Sequence, residues 1–229
     1  MGVGASGMVV TFWSSLEVAD REALAGLGAQ TEVAADTQMF AQGDSSDYLL
    51  VVLRGWVKVV SHSAGGYRAL LALRGPGDLL GEQAGLDGRR RSASLYAATD
   101  VVVLRLTAAR FQHFARGHPA VNRAVEQTLS RRLQEADRQR AGFTEPVSVR
   151  LAALLLDLAD RCGEPARGAG AVSIGLPLSQ DDLAGLLLSS RRTVSRVLEQ
   201  WRAQGLVATG RKSLHLLQAD RLKSLAQGG

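Results

Sequence analysis

Cysteine is nearly absent from this chain: Cys162 is the only one in 229 residues. A single thiol excludes an intramolecular disulfide and leaves too few thiolates for a cysteine-ligated iron–sulfur cluster, so Cys162 reads as a buried, inert thiol. Histidine is almost as scarce. His62, His113, His118 and His215 are scattered without the i, i+4 pairing or carboxylate company of a metal site, so no metal is expected and these four read as structural or surface residues. Nor is there an uncharged apolar run near the length of a membrane span, and Met1–Thr11 has no basic stretch ahead of its apolar residues. The expectation is a cytoplasmic protein without membrane association. Lysine is rare too, three against 24 arginines, a skew that fits a GC-rich coding sequence and carries no mechanism.

What is present is ordinary globular composition, 46% hydrophobic and 21% charged, in a chain long enough for two domains. Its most informative stretch is Ser190–Trp201. At 100° per residue Val194, Val197, Leu198 and Trp201 form one stripe for burial. Arg192 and Arg196 point the other way, Ser195 and Glu199 lie beside them, and Arg191 flanks the first turn. A free cationic face weighted to the N-terminus suits a helix in the DNA major groove, where an arginine fork can bond O6 and N7 of guanine. Taken alone, such a helix is more often just solvated. Its flanks favour DNA. Ser179 and Asp182 form an S-x-x-D capping pair for a preceding helix that begins at Gln180, Leu188-Ser189 makes a short turn, and Ser190 caps the second helix. Gly205 stops that helix, and Leu206–Leu217 reads as a hairpin with Arg211 and Lys212 at its tip. From Arg191 to Lys223 there are eight basic residues against two acidic, in a chain of net charge +5. The outline is a winged helix-turn-helix.

Upstream, short apolar runs broken by Gly, Asp and Ser turns follow a helical stretch at Asp20–Leu27. Strands are expected at Tyr48–Leu53, Trp56–Ser61, Ala69–Leu73, Ala93–Ala98 and Val101–Leu106, making a roll or barrel. From Pro119 the period becomes helical, with Val121, Val125, Leu129 and Leu133 on one ridge to about Ala141. The narrow stripe resembles a coiled-coil seam and favours a homodimer over packing onto its own domain. Gly142–Pro146 reads as a hinge, Val149–Cys162 as a helix, and Gly163–Ala171 as a loop of turn composition. Between two of the strands lies Leu80-Gly-Glu-Gln-Ala-Gly-Leu-Asp-Gly-Arg-Arg-Arg-Ser-Ala93. Small residues let backbone N–H groups close on an anion, arginine pairs with phosphate, and a carboxylate accepts from a sugar hydroxyl. A glycine-rich loop with charges is by itself a weak signal.

Together, a β-roll carrying Gly81-Glu82 and Arg91-Ser92-Ala93, a long helix and a winged helix-turn-helix resemble the Crp-Fnr family of bacterial transcription regulators, from about Phe12 to Leu222. The implied fold is α+β: a cyclic nucleotide-binding β-roll (12–118), a dimerisation helix (119–142) and a winged helix-turn-helix domain (143–229). The resemblance implies a cyclic nucleotide effector, cyclic AMP ahead of cyclic GMP. Glu82 would take the ribose 2′-hydroxyl, and Arg91 with Ser92 the cyclic phosphate. The backbone amides of Gln83 and Ala84 would assist beside Gly81, and Arg132 of the long helix would pair with Glu82. Base reading of double-stranded DNA would fall to Arg191, Arg192 and Arg196 with Ser195. Ser179, Gln180 and Ser190 also lie on the DNA side, with Arg211 and Lys212 on phosphates. RNA polymerase is the family's further partner.

Three departures stand out. Ala136 and Asp137 occupy positions where cyclic-AMP members carry adjacent hydroxyls, so Asp137 either accepts from a purine or faces solvent. Leu188 stands where the helix-turn-helix usually has glycine, which implies strain or a shifted turn. Arg192 replaces a common glutamate, removing an acceptor for a cytosine amino group. The triplet Arg89-Arg90-Arg91 also leaves the cassette register open by one residue. Two other classes remain: a regulator without this ligand, whose cassette is a remnant, and a winged helix that binds protein. An enzyme is not expected, because the motif offers no metal cluster and no nucleophile beside a histidine base.

Overall fold

In the computed structural model, residues 10–63, 65–66, 68–166, 170–210 and 213–228 are described. The chain divides into two compact units, Val10–Ala136 and the residues from Asp137 onward.

The first unit begins with α1 (Val18–Leu27), β1 (Ala29–Val33), β2 (Gln38–Phe40), β3 (Tyr48–Arg54), β4 (Val57–His62), β5 (Arg68–Arg74) and β6 (Leu79–Leu80). It continues with α2 (Glu82–Asp87), β7 (Ser94–Ala97), β8 (Val101–Thr107), α3 (Ala108–Gly117) and most of α4 (Pro119–Ala141). The strands form two four-stranded antiparallel sheets, β1-β8-β3-β6 and β2-β7-β4-β5. All five strands expected from the apolar runs are present. β1, β2, β6, α2 and α3 were not foreseen.

The period-2 geometry of a strand explains why β3 is apolar throughout. Leu49 and Val51 pack with Leu104, Leu106, Phe111 and Val121 in a core beneath the helices, whereas Leu50 and Val52 join Phe40, Val57, Leu95 and Val103 in a second core. On α4, Val121, Ala124, Val125 and Thr128 are buried at i, i+3, i+4 and i+7, which fixes its first half to its own unit. Farther along the ridge Leu129 is partly buried, and Leu133 is 63% exposed.

The second unit opens with the last residues of α4 and a single 3-10 turn at Gly142–Thr144. It comprises α5 (Val147–Cys162), β9 (Gly163–Pro165), β10 (Val172–Ile174), α6 (Gln180–Leu186), α7 (Arg191–Ala203), β11 (Val207–Gly210), β12 (Ser213–Leu216) and α8 (Ala219–Ala226). The hairpin β11–β12 extends through β10 to β9. This corrects the loop expected from Gly163: Gly163–Pro165 pairs with β10. A side chain at Gly163 would put its Cβ 2.4 Å from a Val172 methyl, so the glycine that resembled a turn signal instead permits close strand approach.

The two central helices are capped as their sequences imply. Ser179 Oγ accepts from the Asp182 amide at 3.0 Å, and Asp182 Oδ2 accepts from the Ser179 amide at 2.9 Å. Ser190 Oγ accepts from the Thr193 amide at 3.1 Å. Between the helices Leu188 adopts φ +48°. Its N–H reaches the Gly185 carbonyl and the Ser189 N–H the Ala184 carbonyl, at 3.1 and 2.9 Å, the paired bonds of a Schellman turn. The turn is therefore in register and strained, and left-handed backbone costs a non-glycine residue roughly 1–2 kcal/mol. Arg150 Nη1 of α5 braces it by donating to the Leu187 carbonyl.

Candidate functional site

The three arginines of the triplet have different surroundings. Arg89 and Arg90 are exposed, whereas Arg91 retains 3% of its exposure. Its Nε donates to Ser46 Oγ at 2.9 Å, Nη1 to the Gly81 carbonyl at 2.9 Å, and Nη2 to the Tyr48 carbonyl. The guanidinium carbon lies 4.2 Å from the Phe40 ring centroid and 5.1 Å from that of Tyr48, close enough for cation–π attraction on both sides. Burial pulls the guanidinium below its ordinary pKa, while Tyr48, Glu82, Asp44 and Asp47 act in the other direction. It remains a cation, because arginine is not deprotonated in proteins.

Small residues make this arrangement possible. Gly81 takes φ +75° at the N-cap of α2, and a Cβ there would lie 2.4 Å from Arg91 Nη1. In place of a side chain, Gly81 presents its carbonyl to the arginine. Glu82, Gln83 and Ala84 form the first turn of α2, where backbone N–H groups have no acceptor within the helix. Glu82 is buried, Gln83 exposed and Ala84 buried. Ser92 Oγ donates to Gln83 Oε1 at 3.1 Å, so the two sides of the motif meet. At the far end of α2, Gln112 Nε2 of α3 donates to the Gly85 carbonyl at 3.0 Å.

The link to the long helix is Arg132. Its Nη1 pairs with Glu82 Oε1 and its Nη2 donates to the Leu79 carbonyl. The side chains are 21% and 7% exposed, so the pair is largely withdrawn from water. Arg74 of β5 makes a second strap to α4, reaching Glu135 at 3.1 Å. Asp137 follows on the same helix. It lies five residues beyond Arg132, about 140° around a helix that turns 100° per residue, and its exposed carboxylate pairs with Arg140 at 3.4 Å.

On the second unit, Val194, Val197, Leu198 and Trp201 are buried, and Arg191, Arg192 and Arg196 are exposed. Ser195 Oγ donates to Glu199 Oε1 at 2.9 Å. Arg191 forms an ion pair with Asp181 of α6 at 3.4 Å. Ser179, Gln180 and Ser190 stand at the N-termini of α6 and α7. Arg202 Nη1 donates to Thr209 Oγ1 at 3.2 Å, tying α7 to the wing. Arg211 and Lys212 lie outside the described residues. Burial pushes the Cys162 thiol up to about 11, as expected of an inert thiol, and no metal-binding group of side chains occurs among the described residues.

Sequence reasoning missed Phe40, Ser46 and Tyr48 around Arg91, and Asp181 beside Arg191. None carries a local signal. Each acquires its role from a partner at least ten residues away.

Comparison with known proteins matches the model of the cyclic nucleotide-binding domain over residues 30–118 and that of the Crp-like helix-turn-helix domain over 149–225. The chain is 34% identical to the cyclic AMP receptor protein of Thermus thermophilus, covering 83% of this chain and 84% of that one. It is 29% identical to the CRP-like cAMP-activated global transcriptional regulator of Mycobacterium tuberculosis, covering 82% and 84%. Among solved structures, TTHB099, a CRP-family transcriptional regulator from Thermus thermophilus, matches with a TM-score of 0.73 at 27% identity over 86% of this chain and 96% of that one.

Proposed function

The chain belongs to the Crp-Fnr family of transcription regulators, and from that premise we propose that it is a homodimer whose grip on a pseudo-palindromic operator is controlled by a cyclic nucleotide, cyclic AMP ahead of cyclic GMP. It is a DNA-binding transcription regulator with a cyclic nucleotide-binding domain.

The observation that carries the proposal is the buried pair Glu82–Arg132, which joins the first turn of α2 to the long helix α4. In this reading the ribose 2′-hydroxyl donates to Glu82. The cyclic phosphate lies on Ser92, on the backbone N–H groups of Gln83 and Ala84, and on N–H groups of Arg91 beyond the three that bond Ser46, Gly81 and Tyr48. A ligand that pulls on Glu82 thereby acts on α4 through Arg132. Control of DNA binding requires that the ligand bind the DNA-competent state more tightly than the incompetent one. The exposed part of the ridge, at Leu133, supplies the seam for a second copy. Two copies of α7 would enter major grooves roughly 34 Å apart, with Arg191, Arg192 and Arg196 on base edges. Cyclic AMP comes first because two of the similar proteins are described by that nucleotide. RNA polymerase is the family's partner for such a complex.

One observation favours a second reading. Arg91 is already held by three protein acceptors and two rings, the arrangement of a structural strut, which suits a regulator that responds to another signal or none. Calorimetric titration separates the two. Saturable binding of cyclic AMP at one site per chain supports the sensor. Absence of binding by either cyclic nucleotide turns the reading to the remnant.

A further inference from the structure

The two acidic residues that open α6 have different surroundings. Asp182 is buried and closes the capping box with Ser179. Asp181 is the one exposed residue of α6, and its carboxylate lies 3.4 Å from Arg191 Nη1. The partners belong to the two halves of the helix-turn-helix. Among the described residues, Arg192 and Arg196 form no ion pair and Arg202 bonds Thr209 Oγ1, so of the four exposed arginines on α7 only Arg191 has a carboxylate.

An acid at this surface is costly for DNA binding on general grounds, because it faces a polyanion. As an isolated pair, Asp181–Arg191 contributes little. With side chains 62% and 67% exposed, it belongs to the class of surface ion pairs worth about 0–1 kcal/mol. Its geometry matters for another reason. Guanidinium carries five N–H donors in a rigid plane, and a guanine takes only two of them through O6 and N7. The carboxylate touches only Nη1, which leaves the other donors free for guanine; it draws the side chain toward α6 and away from phosphate, and exclusion of water on docking strengthens the pair.

We propose that Asp181 is a specificity-determining positioning residue: it holds Arg191 for bidentate contact with one guanine and withholds it from the DNA backbone. The inference rests on the DNA-reading role proposed above. It also gives this surface a carboxylate of its own, contributed by α6, although Arg192 occupies the α7 position where the family commonly has glutamate.

The test is selection from a randomised duplex pool by the full-length protein saturated with cyclic AMP, followed by competition with all four bases at each selected position. Wild type, Arg191→Ala, Asp181→Asn and Asp181→Ala are compared. Arg191→Ala should flatten one G·C position. Both Asp181 variants should lower discrimination at that same position by about tenfold, one part of the roughly 1–3 kcal/mol available to a bidentate contact, while binding unselected DNA more tightly than wild type does. A purely structural pair would alter the unfolding midpoint and leave base preference in place. Asp181 variants that bind all sequences more tightly, with that G·C preference intact, overturn the inference and leave the DNA-reading role standing. A wild-type protein that selects no sequence either with or without cyclic AMP overturns both.

Discussion

The cassette and the recognition helix both depend on arginine, and they hold it in opposite ways. Arg91 and Arg132 are withdrawn from water and fastened to carbonyls, a serine, aromatic rings and a carboxylate. Arg192 and Arg196 stand in solvent. A buried cation must be paired to persist, whereas an exposed one is kept solvated at little cost until a polyanion replaces the water. Substitutions in the cassette should therefore damage fold and ligand binding together. Substitutions on the recognition helix should affect DNA binding alone.

Arg91→Ala gives the largest expected effect. It removes the donor to the Tyr48 carbonyl and to Ser46 Oγ and the cation between the Phe40 and Tyr48 rings, while the Gly81 carbonyl keeps the Gly85 N–H, so the unfolding free energy should fall by about 3–4 kcal/mol. Denaturant titration measures this, and a loss under about 1 kcal/mol would place Arg91 with the exposed arginines instead. Glu82→Ala comes next. Leaving Arg132 without its carboxylate should cost about 3 kcal/mol, and the double variant Glu82→Ala/Arg132→Ala should cost less than the sum of the two singles. Additivity in that cycle would mean the pair does not couple α2 to α4.

On the other side of the comparison, Arg192→Ala and Arg196→Ala should each leave stability within about 0.5 kcal/mol of wild type. Each should weaken operator binding by about 1–3 kcal/mol, read by fluorescence anisotropy. Unfolding at lower denaturant would show that these side chains are structural after all. The smallest effect is at the turn that presents them. Leu188→Gly relieves the left-handed strain and should stabilise the domain by about 1 kcal/mol, raising its thermal midpoint by a few degrees.

The same contrast explains what could be read from the sequence. α7 was legible because its stripe, its Ser190 cap and its Gly205 stop are all local. α4 was legible because a 3.6-residue period persists from Pro119 to Ala141. β1 was not, since four of its five residues are exposed and no alternation remains. β6 is two residues long, α2 passes for a glycine-rich loop, and α3 buries only Phe111, Phe114 and Ala115. In the site, Gly81, Glu82 and Arg91 formed a recognisable spacing. The residues that hold Arg91 did not, because Ser46 and Tyr48 meet it across 45 and 43 residues of chain. The ridge of α4 shows the limit of periodicity: a spacing of four drifts around the helix, so Val121 and Leu133 end about 120° apart, one fully buried and the other 63% exposed.

The central claim is that occupancy of the cassette governs the recognition helices. Operator affinity of the full-length protein, measured by anisotropy at fixed salt with and without saturating cyclic AMP, tests it directly. At least a tenfold gain, corresponding to about 1.4 kcal/mol of coupling, is the result the account requires. Equal affinity in the presence and absence of cyclic AMP would contradict it.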